Sequence, residues 1–170
     1  MVESGGILNN FTHHFNGVTG YIGEYECKVD DKGRVIVPAG LKRQIPAESL
    51  NRMVINRGFD KCLTLYTRKD WELETAKLSK LNDFKREDRK FKRLFNSGAT
   101  EVKIDTASRI LLPKKLCGYA EIDSDVVFYA YENKIEIWAK SVYEAHMEID
   151  PDDFSDLAEK VMGDDPDVDA

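Results

Sequence analysis

Two short segments of the sequence each place an arginine four residues after an aspartate: Arg34 follows Asp30, and Arg109 follows Asp105. An arginine at a turn between two strands can offer its planar guanidinium to phosphate oxygens or to the O6 and N7 acceptors of guanine. Phosphate would repel a bare carboxylate, so we interpret the aspartates as side chains that hold the turn or the nearby arginine in position. A second interpretation is equally open on these residues alone, namely that each Asp and Arg form a structural pair that stabilises a turn.

The two motifs belong to an internal duplication. VDDKGRVIVP starts at Val29 and IDTASRILLP starts at Ile104, and sixteen positions, 26–41, match 101–116 at a constant spacing of 75 residues. Further along the chain the spacing becomes 72, which we attribute to one loop, and it pairs Val54 with Val126, Leu65 with Ile137, Tyr66 with Trp138 and Trp71 with Tyr143. A module of about fifty residues is marginal alone. We therefore expect the two copies to share one core.

Each repeat is predicted to contain a strand, a turn, a strand, a short helix and two further strands. In the first repeat these elements are strands at 24–29 and 35–37, a helix at 41–45, and strands at 53–55 and 62–66. Gly33 can supply a positive φ in the turn. The β-branched run from Val35 to Val37 suits a largely buried surface. The second repeat, about 98–139, has the same order of elements.

Further helices are predicted after each repeat. Thr67 and Asp70 resemble a capping box for the first of them, and Ser141 and Glu144 resemble one for the helix after the second repeat. A helix at about 84–95 carries an apolar stripe formed by Phe84, Phe91, Leu94 and Phe95. Eight basic and three acidic residues lie from Lys77 to Arg93. We interpret that charged face as solvated rather than as a surface that contacts DNA.

The net charge of −6 is unevenly spread along the chain. Ten acidic residues and one lysine lie from Glu148 to Ala170, a net charge of −9, which leaves +3 on the remainder. The acidic tail is expected to be a short helix followed by a disordered end. No apolar run approaches the ~20 residues that cross a bilayer, and the N-terminus lacks the features of a secretory signal. We expect a cytoplasmic protein.

Other chemistries lack a signature in the sequence. Cys27, Cys62 and Cys117 are odd in number and far apart, which favours small apolar residues in a reducing compartment over disulfides or a zinc site. The sequence contains no Gly-rich phosphate loop, no H-E-x-x-H and no G-x-S-x-G motif. We therefore expect no enzymatic activity, no metal and no cofactor.

The segment GEYECKVDDKGRVIVP, its reworked second copy and the later KIEIWAKSVYE resemble the MraZ family of bacterial transcriptional regulators over residues 23 to about 147. The resemblance implies an α+β, mainly β fold, in which two AbrB-like (SpoVT-AbrB) modules close around each other by pseudo-twofold symmetry into one small barrel with added helices. It also implies a ring-shaped homo-oligomer that binds double-stranded DNA at short direct repeats, upstream of the division and cell-wall gene cluster. It brings no small-molecule substrate and no membrane association.

The resemblance suggests a division of the chain into five parts. These are a leader (1–22), a first module (23–70), a helical connector (71–97), a second module (98–141), and a C-terminal helix with an acidic tail (142–170). The residues carried over as DNA contacts are Arg34 and Arg109, assisted by Lys28, Lys32 and Lys103. Those carried over as supports of the motif are Asp30, Gly33, Asp105 and Ser108.

One departure from the family pattern concerns the second motif. The family usually has glycine before the second arginine, whereas this chain has Ser108, preceded by Thr106 and Ala107. Serine is less willing than glycine to adopt a positive φ. The second turn is therefore expected to be shaped differently from the first.

Two further functions compete with a ring-shaped regulator. An AbrB-type antitoxin or transition-state regulator uses the same motif architecture, although such proteins usually carry one module per chain and dimerise to complete the fold. A purely structural ring-forming protein would carry the basic surface incidentally. A body charge of +3 is modest for DNA binding, so a single subunit should bind weakly, and several subunits on successive repeats should gain avidity of roughly 10² to 10⁴.

Overall fold

The computed structural model describes residues 20–163, so the leader up to residue 19 and the acidic end from residue 164 lie outside the described residues. The strands are β1 (Tyr21–Lys28), β2 (Arg34–Ile36), β3 (Met53–Arg57), β4 (Leu63–Thr67), β5 (Thr100–Val102), β6 (Arg109–Leu111), β7 (Asp125–Glu132) and β8 (Lys134–Ala139). The helices are α1 (Ala39–Lys42), α2 (Arg68–Leu78), α3 (Arg86–Asn96), α4 (Lys114–Tyr119), α5 (Lys140–Met147) and α6 (Pro151–Met162), with a 3-10 turn at Ala47–Ser49. The prediction of a mainly β, α+β fold is confirmed.

The sheets exchange strands between the two repeats. The larger sheet has six antiparallel strands in the order β1-β7-β8-β4-β3-β5, and β2 pairs with β6 in a separate two-stranded sheet. Thr64 pairs with Glu136, and Val35 pairs with Ile110, so each of these residues faces its own repeat equivalent. The pseudo-twofold axis therefore passes between β4 and β8 and between β2 and β6.

The predicted closure into a barrel is wrong. In the larger sheet β1 and β5 are edge strands, and β1 connects to the two-stranded sheet only through the single bridge between Val29 and Val35. Strands β2 and β6 are three residues long, which is too short to continue the ladder around a barrel. The core fills the space between the two sheets, and Val35, Ile110 and Phe128 all belong to it.

The outer face of the larger sheet is covered by helices. Trp71 of α2 packs there against Tyr66, and Tyr143 of α5 packs against Trp138. These pairs confirm the repeat equivalences predicted for the four residues. None of the helices in residues 20–163 has the length and apolar character needed to cross a membrane.

One predicted equivalence is wrong by one residue. Met53 lies opposite Thr67 on the neighbouring strand, as Val126 lies opposite Ala139, so Val126 corresponds to Met53 and not to Val54. The spacing between equivalent residues therefore falls from 75 to 72 in two steps. The first step lies before β7 and the second lies in the turn between β7 and β8, so a single loop does not account for the change.

The two predicted capping boxes have different outcomes. The Thr67 hydroxyl oxygen accepts a hydrogen bond from the Asp70 backbone N–H at 3.1 Å, which confirms Thr67 as the N-cap of α2. The prediction for Ser141 is wrong, because α5 begins at Lys140 with Ala139 at its N-cap and no side-chain cap. Strand β8 ends directly at the helix, and no capping residue separates them.

Candidate nucleic-acid interface

The two motif arginines lie on the outward face of the β2–β6 ribbon. Because side chains alternate along a strand, the burial of Val35 and Ile110 at the centre of each strand turns the flanking residues away from the core. Arg34 lies opposite Leu111, and Arg109 lies opposite Ile36. The arginines are thus diagonal neighbours across the ribbon, roughly 7–8 Å apart between backbones.

In the first turn Asp30 holds both the backbone and the arginine. Its Oδ1 accepts hydrogen bonds from the backbone N–H groups of Lys32 and Arg34, each at 2.9 Å. Its Oδ2 accepts a hydrogen bond from the Arg34 Nε at 3.0 Å. The Arg34 backbone N–H, the guanidinium and the Lys32 N–H together hold the pKa of the Asp30 carboxyl below its usual value. Gly33 closes the turn at φ +83°.

The second turn repeats this geometry. The Asp105 Oδ1 accepts from the backbone N–H groups of Ala107 and Arg109 at 2.9 Å, and its Oδ2 accepts from the Arg109 Nε at 3.1 Å. The same contacts, led by the Arg109 N–H, lower the pKa of the Asp105 carboxyl. Ser108 has φ +61°, in the same region as Gly33. The expectation that Ser108 reshapes the turn is therefore wrong.

A lysine from the other repeat accompanies the strained serine. The Lys42 Nζ, at the end of α1, donates a hydrogen bond to the Ser108 Oγ at 2.8 Å in a partly buried position. The residue equivalent to Lys42 in the second repeat is Cys117, so the first turn has no matching lysine. The contact joins residues 66 positions apart, and the local sequence around Ser108 gave no signal for it.

The arginines keep one edge available. Only the Nε of each guanidinium is engaged, and within residues 20–163 neither Nη of Arg34 or Arg109 has a hydrogen-bond or ion-pair partner. About a third of each arginine side chain is exposed, 32% and 37% respectively. The aspartates thus hold each guanidinium by its Nε, while its two Nη groups keep no partner within residues 20–163.

The three lysines predicted to assist lie around these turns in different environments. Lys28 forms an ion pair with Asp125 at 2.9 Å, and that contact lowers the pKa of the Asp125 carboxyl. Lys32 lies within the first turn with its side chain exposed, and Lys103 is exposed just after β5. Of these three lysines, Lys28 is thus the one that pairs with a carboxylate within residues 20–163.

Two aliphatic side chains complete the outward face of the ribbon. Ile36 is 64% exposed and Leu111 is 57% exposed, each directly opposite one of the arginines. The prediction of a largely buried strand from Val35 to Val37 is wrong for Ile36. The runs 35–37 and 110–112 contain no polar residue to mark the outward position, so sequence reasoning missed both aliphatic residues.

The family model described as "MraZ protein, putative antitoxin-like" matches the chain twice, at residues 21–94 and 95–164. The chain belongs to the MraZ family. The Transcriptional regulator MraZ of Christiangramia forsetii is 44% identical over 145 residues, which cover 85% of this chain and 94% of that protein. Those of Flavobacterium psychrophilum and Thermoanaerobacter pseudethanolicus are 42% and 38% identical over 84% and 81% of this chain, and 91% and 94% of those proteins.

Membership of the MraZ family settles the functional class. The family is one of transcriptional regulators and not of enzymes, which confirms the prediction that the chain is not an enzyme. The twofold match of the family model also agrees with the duplication deduced from the repeated motif.

Proposed function

We propose that the protein binds double-stranded DNA through the outward face of the β2–β6 ribbon, with Arg34 and Arg109 as the principal contacts. The observation that carries the proposal is the pair of partly exposed arginines whose Nε atoms are held by Asp30 and Asp105 while their Nη groups have no partner in the described part of the chain. An arginine fixed in this way loses little conformational freedom when it forms two parallel hydrogen bonds with guanine or phosphate.

The dimensions of the ribbon suit the major groove. A two-stranded ribbon fits a groove about 12 Å wide, and arginines roughly 7–8 Å apart span about two base-pair steps of 3.4 Å. Ile36 and Leu111 stand beside them, where an apolar side chain can contact a thymine methyl group. Lys32 and Lys103 would add phosphate contacts, and Lys28 would first have to leave Asp125.

The charge available to one subunit argues for multivalent binding. Each phosphate contact contributes about −0.9 to the slope of log K against log salt, and a single ribbon offers few contacts. We therefore propose that several subunits assemble into a ring and engage successive short direct repeats. The sites proposed, from the resemblance, are those upstream of the division and cell-wall gene cluster, including the protein's own promoter. Such a regulator would work in the cytoplasm on the nucleoid.

Binding of the purified protein to its own upstream DNA, measured by fluorescence anisotropy over a salt series, tests the proposal. We expect Arg34→Ala and Arg109→Ala each to weaken binding by at least about tenfold, as for loss of a bidentate contact. Arg68→Ala is the matched control, because the Arg68 Nε also pairs with a carboxylate four residues away and the side chain is 40% exposed. Unchanged binding in both ribbon variants, or equal loss in the control, would contradict the proposal.

A further inference from the structure

The final helix, α6, presents an apolar stripe that its own chain does not cover. Phe154, Leu157, Ala158 and Val161 lie on one face at the spacing of an amphipathic helix. Every residue from Glu144 to Gly163 is exposed. A twelve-residue helix without tertiary packing is marginal in water, so a partner surface is needed to stabilise it.

A groove of complementary character lies beside α3. It has a volume of about 300 Å³ and lies between α3 and the β3–β4 hairpin. Phe59, Phe91 and Leu94 line it and are 84%, 41% and 53% exposed, while Arg57 and Lys134 supply basic groups in its lining. An exposed apolar groove with a polar rim is typical of a protein-binding surface.

The two helices carry opposite charge. Helix α3 has five basic and two acidic residues, a net charge of +3, whereas α6 with its N-cap Asp150 has five acidic residues and one lysine, a net charge of −4. Within residues 20–163 no charged side chain of α6 forms an ion pair, and Arg86, Lys90 and Arg93 of α3 form none either. Both surfaces thus hold unpaired charge beside exposed apolar area.

We propose that α6 of one copy docks, apolar face inward, into the groove beside α3 of a neighbouring copy. A second copy is the occupant because α6 is exposed throughout in its own chain, and because an acidic helix complements a basic groove. DNA could neutralise the α3 basic residues but would leave the apolar floor uncovered. The contact joins two different surfaces, and contacts of that kind generate closed rings or open filaments. The inference rests on the self-assembly included in the proposed function and assigns surfaces to it.

Sedimentation velocity of the full-length protein over a concentration series tests the apolar part of the contact. Leu157→Asp should weaken association by at least about tenfold, since it places a charge in an apolar groove. Leu73→Asp is the matched control, because Leu73 lies on α2 outside the groove and is 50% exposed against 48% for Leu157. Far-UV circular dichroism checks that both variants keep their helices. The proposal is overturned if Leu157→Asp leaves the association constant unchanged. That result is also the one expected if α6 docks within its own chain.

Charge reversal tests the pairing of the two surfaces. The variants Lys90→Glu and Asp153→Lys, whose side chains lie at the edges of the two apolar faces, should each weaken assembly, and the two combined in one chain should restore it. Failure of the combination to restore assembly would overturn the proposed pairing. The pairing would also be overturned if replacing basic residues of α3 by glutamate left assembly normal but abolished DNA binding, because α3 would then be a DNA contact. Loss of binding in the ribbon variants is a separate readout, so the docking can fail while the proposed function stands.

Discussion

Replacing Gly33 by serine would give the first turn the residue of the second turn without its supporting lysine. A Cβ at Gly33 would meet the Leu112 carbonyl oxygen at 3.6 Å and the Leu111 Cδ1 at 3.7 Å, which are ordinary contacts. The cost therefore arises from the backbone, because φ is +83°. A non-glycine residue in this region costs roughly 1–3 kcal/mol, and the stiffer unfolded chain returns about 0.4–1 kcal/mol.

We expect Gly33→Ser to lower the free energy of unfolding by about 1 kcal/mol, which for a chain of this size lowers Tm by roughly 2–4 °C. The second turn carries Ser108 with a hydrogen bond from Lys42. Cys117 occupies the position equivalent to Lys42. Adding Cys117→Lys to Gly33→Ser should therefore recover about 0.5–1.5 kcal/mol, the range for one hydrogen bond.

Urea denaturation of the two single variants and the double variant gives the coupling energy directly. Gly118→Ser is the control, because a Cβ there meets nothing within 4 Å and Gly118 has no positive φ, so it should not destabilise the fold. The reasoning is refuted if Gly33→Ser is as stable as the wild type. It is also refuted if Cys117→Lys has the same effect with and without Gly33→Ser.

Two further predictions concern the turn carboxylates and the outer face of the sheet. The folded-state pKa values of Asp30 and Asp105 are lowered, so their stabilising contribution is present above the unfolded pKa near 4 and is lost as the pH falls through the folded value. Replacing both by Asn should flatten the fall in stability below pH 4. Urea titrations of the wild type and the double variant at pH 3 and pH 7 test this, and an equal loss of stability between the two pH values in both proteins would mean that the carboxylates contribute nothing. Trp71 is 8% exposed and stacks on Phe95 at 5.7 Å, so Trp71→Ala should cost about 3 kcal/mol of unfolding free energy, whereas Phe84→Ala, at a 97% exposed position, should stay within about 0.5 kcal/mol.

The sequence predicted the repeat and its motif well, because both depend on residue types at fixed spacing. It failed where a segment is buried on both faces. Met53, Val54 and Ile55 are all buried, since α2 covers the face of β3 that points away from the core. Without alternating polar and apolar residues, the sequence does not show how this strand aligns with its counterpart in the second repeat. The predicted equivalent of Val126 is therefore wrong by one residue.

Long-range partners were the other part that the sequence could not supply. Nothing local to Ser108 indicates that Lys42 lies beside it, and a duplicated sequence is compatible with strands paired within a repeat or exchanged between repeats. The exchange is visible only in the register, where β1 pairs with β7 and β5 pairs with β3. The turn, in contrast, was predictable, because Asp at the first position can accept hydrogen bonds from backbone N–H groups further along the turn, here those two and four residues later.

The two repeats are alike at the turns beside the ribbon but differ in the charge of their outer helices. Both turns beside the β2–β6 ribbon keep the same Asp-to-Arg geometry, which gives two equivalent guanidinium groups about the pseudo-twofold axis. The helices that close the two halves, α3 and α6, instead carry opposite net charge. Two like helices would favour a contact between identical surfaces, whereas the proposed docking joins the second half of one copy to the first half of another. In the docking proposed above, this difference in charge would favour head-to-tail association, the arrangement that could place several ribbons along repeated DNA sites.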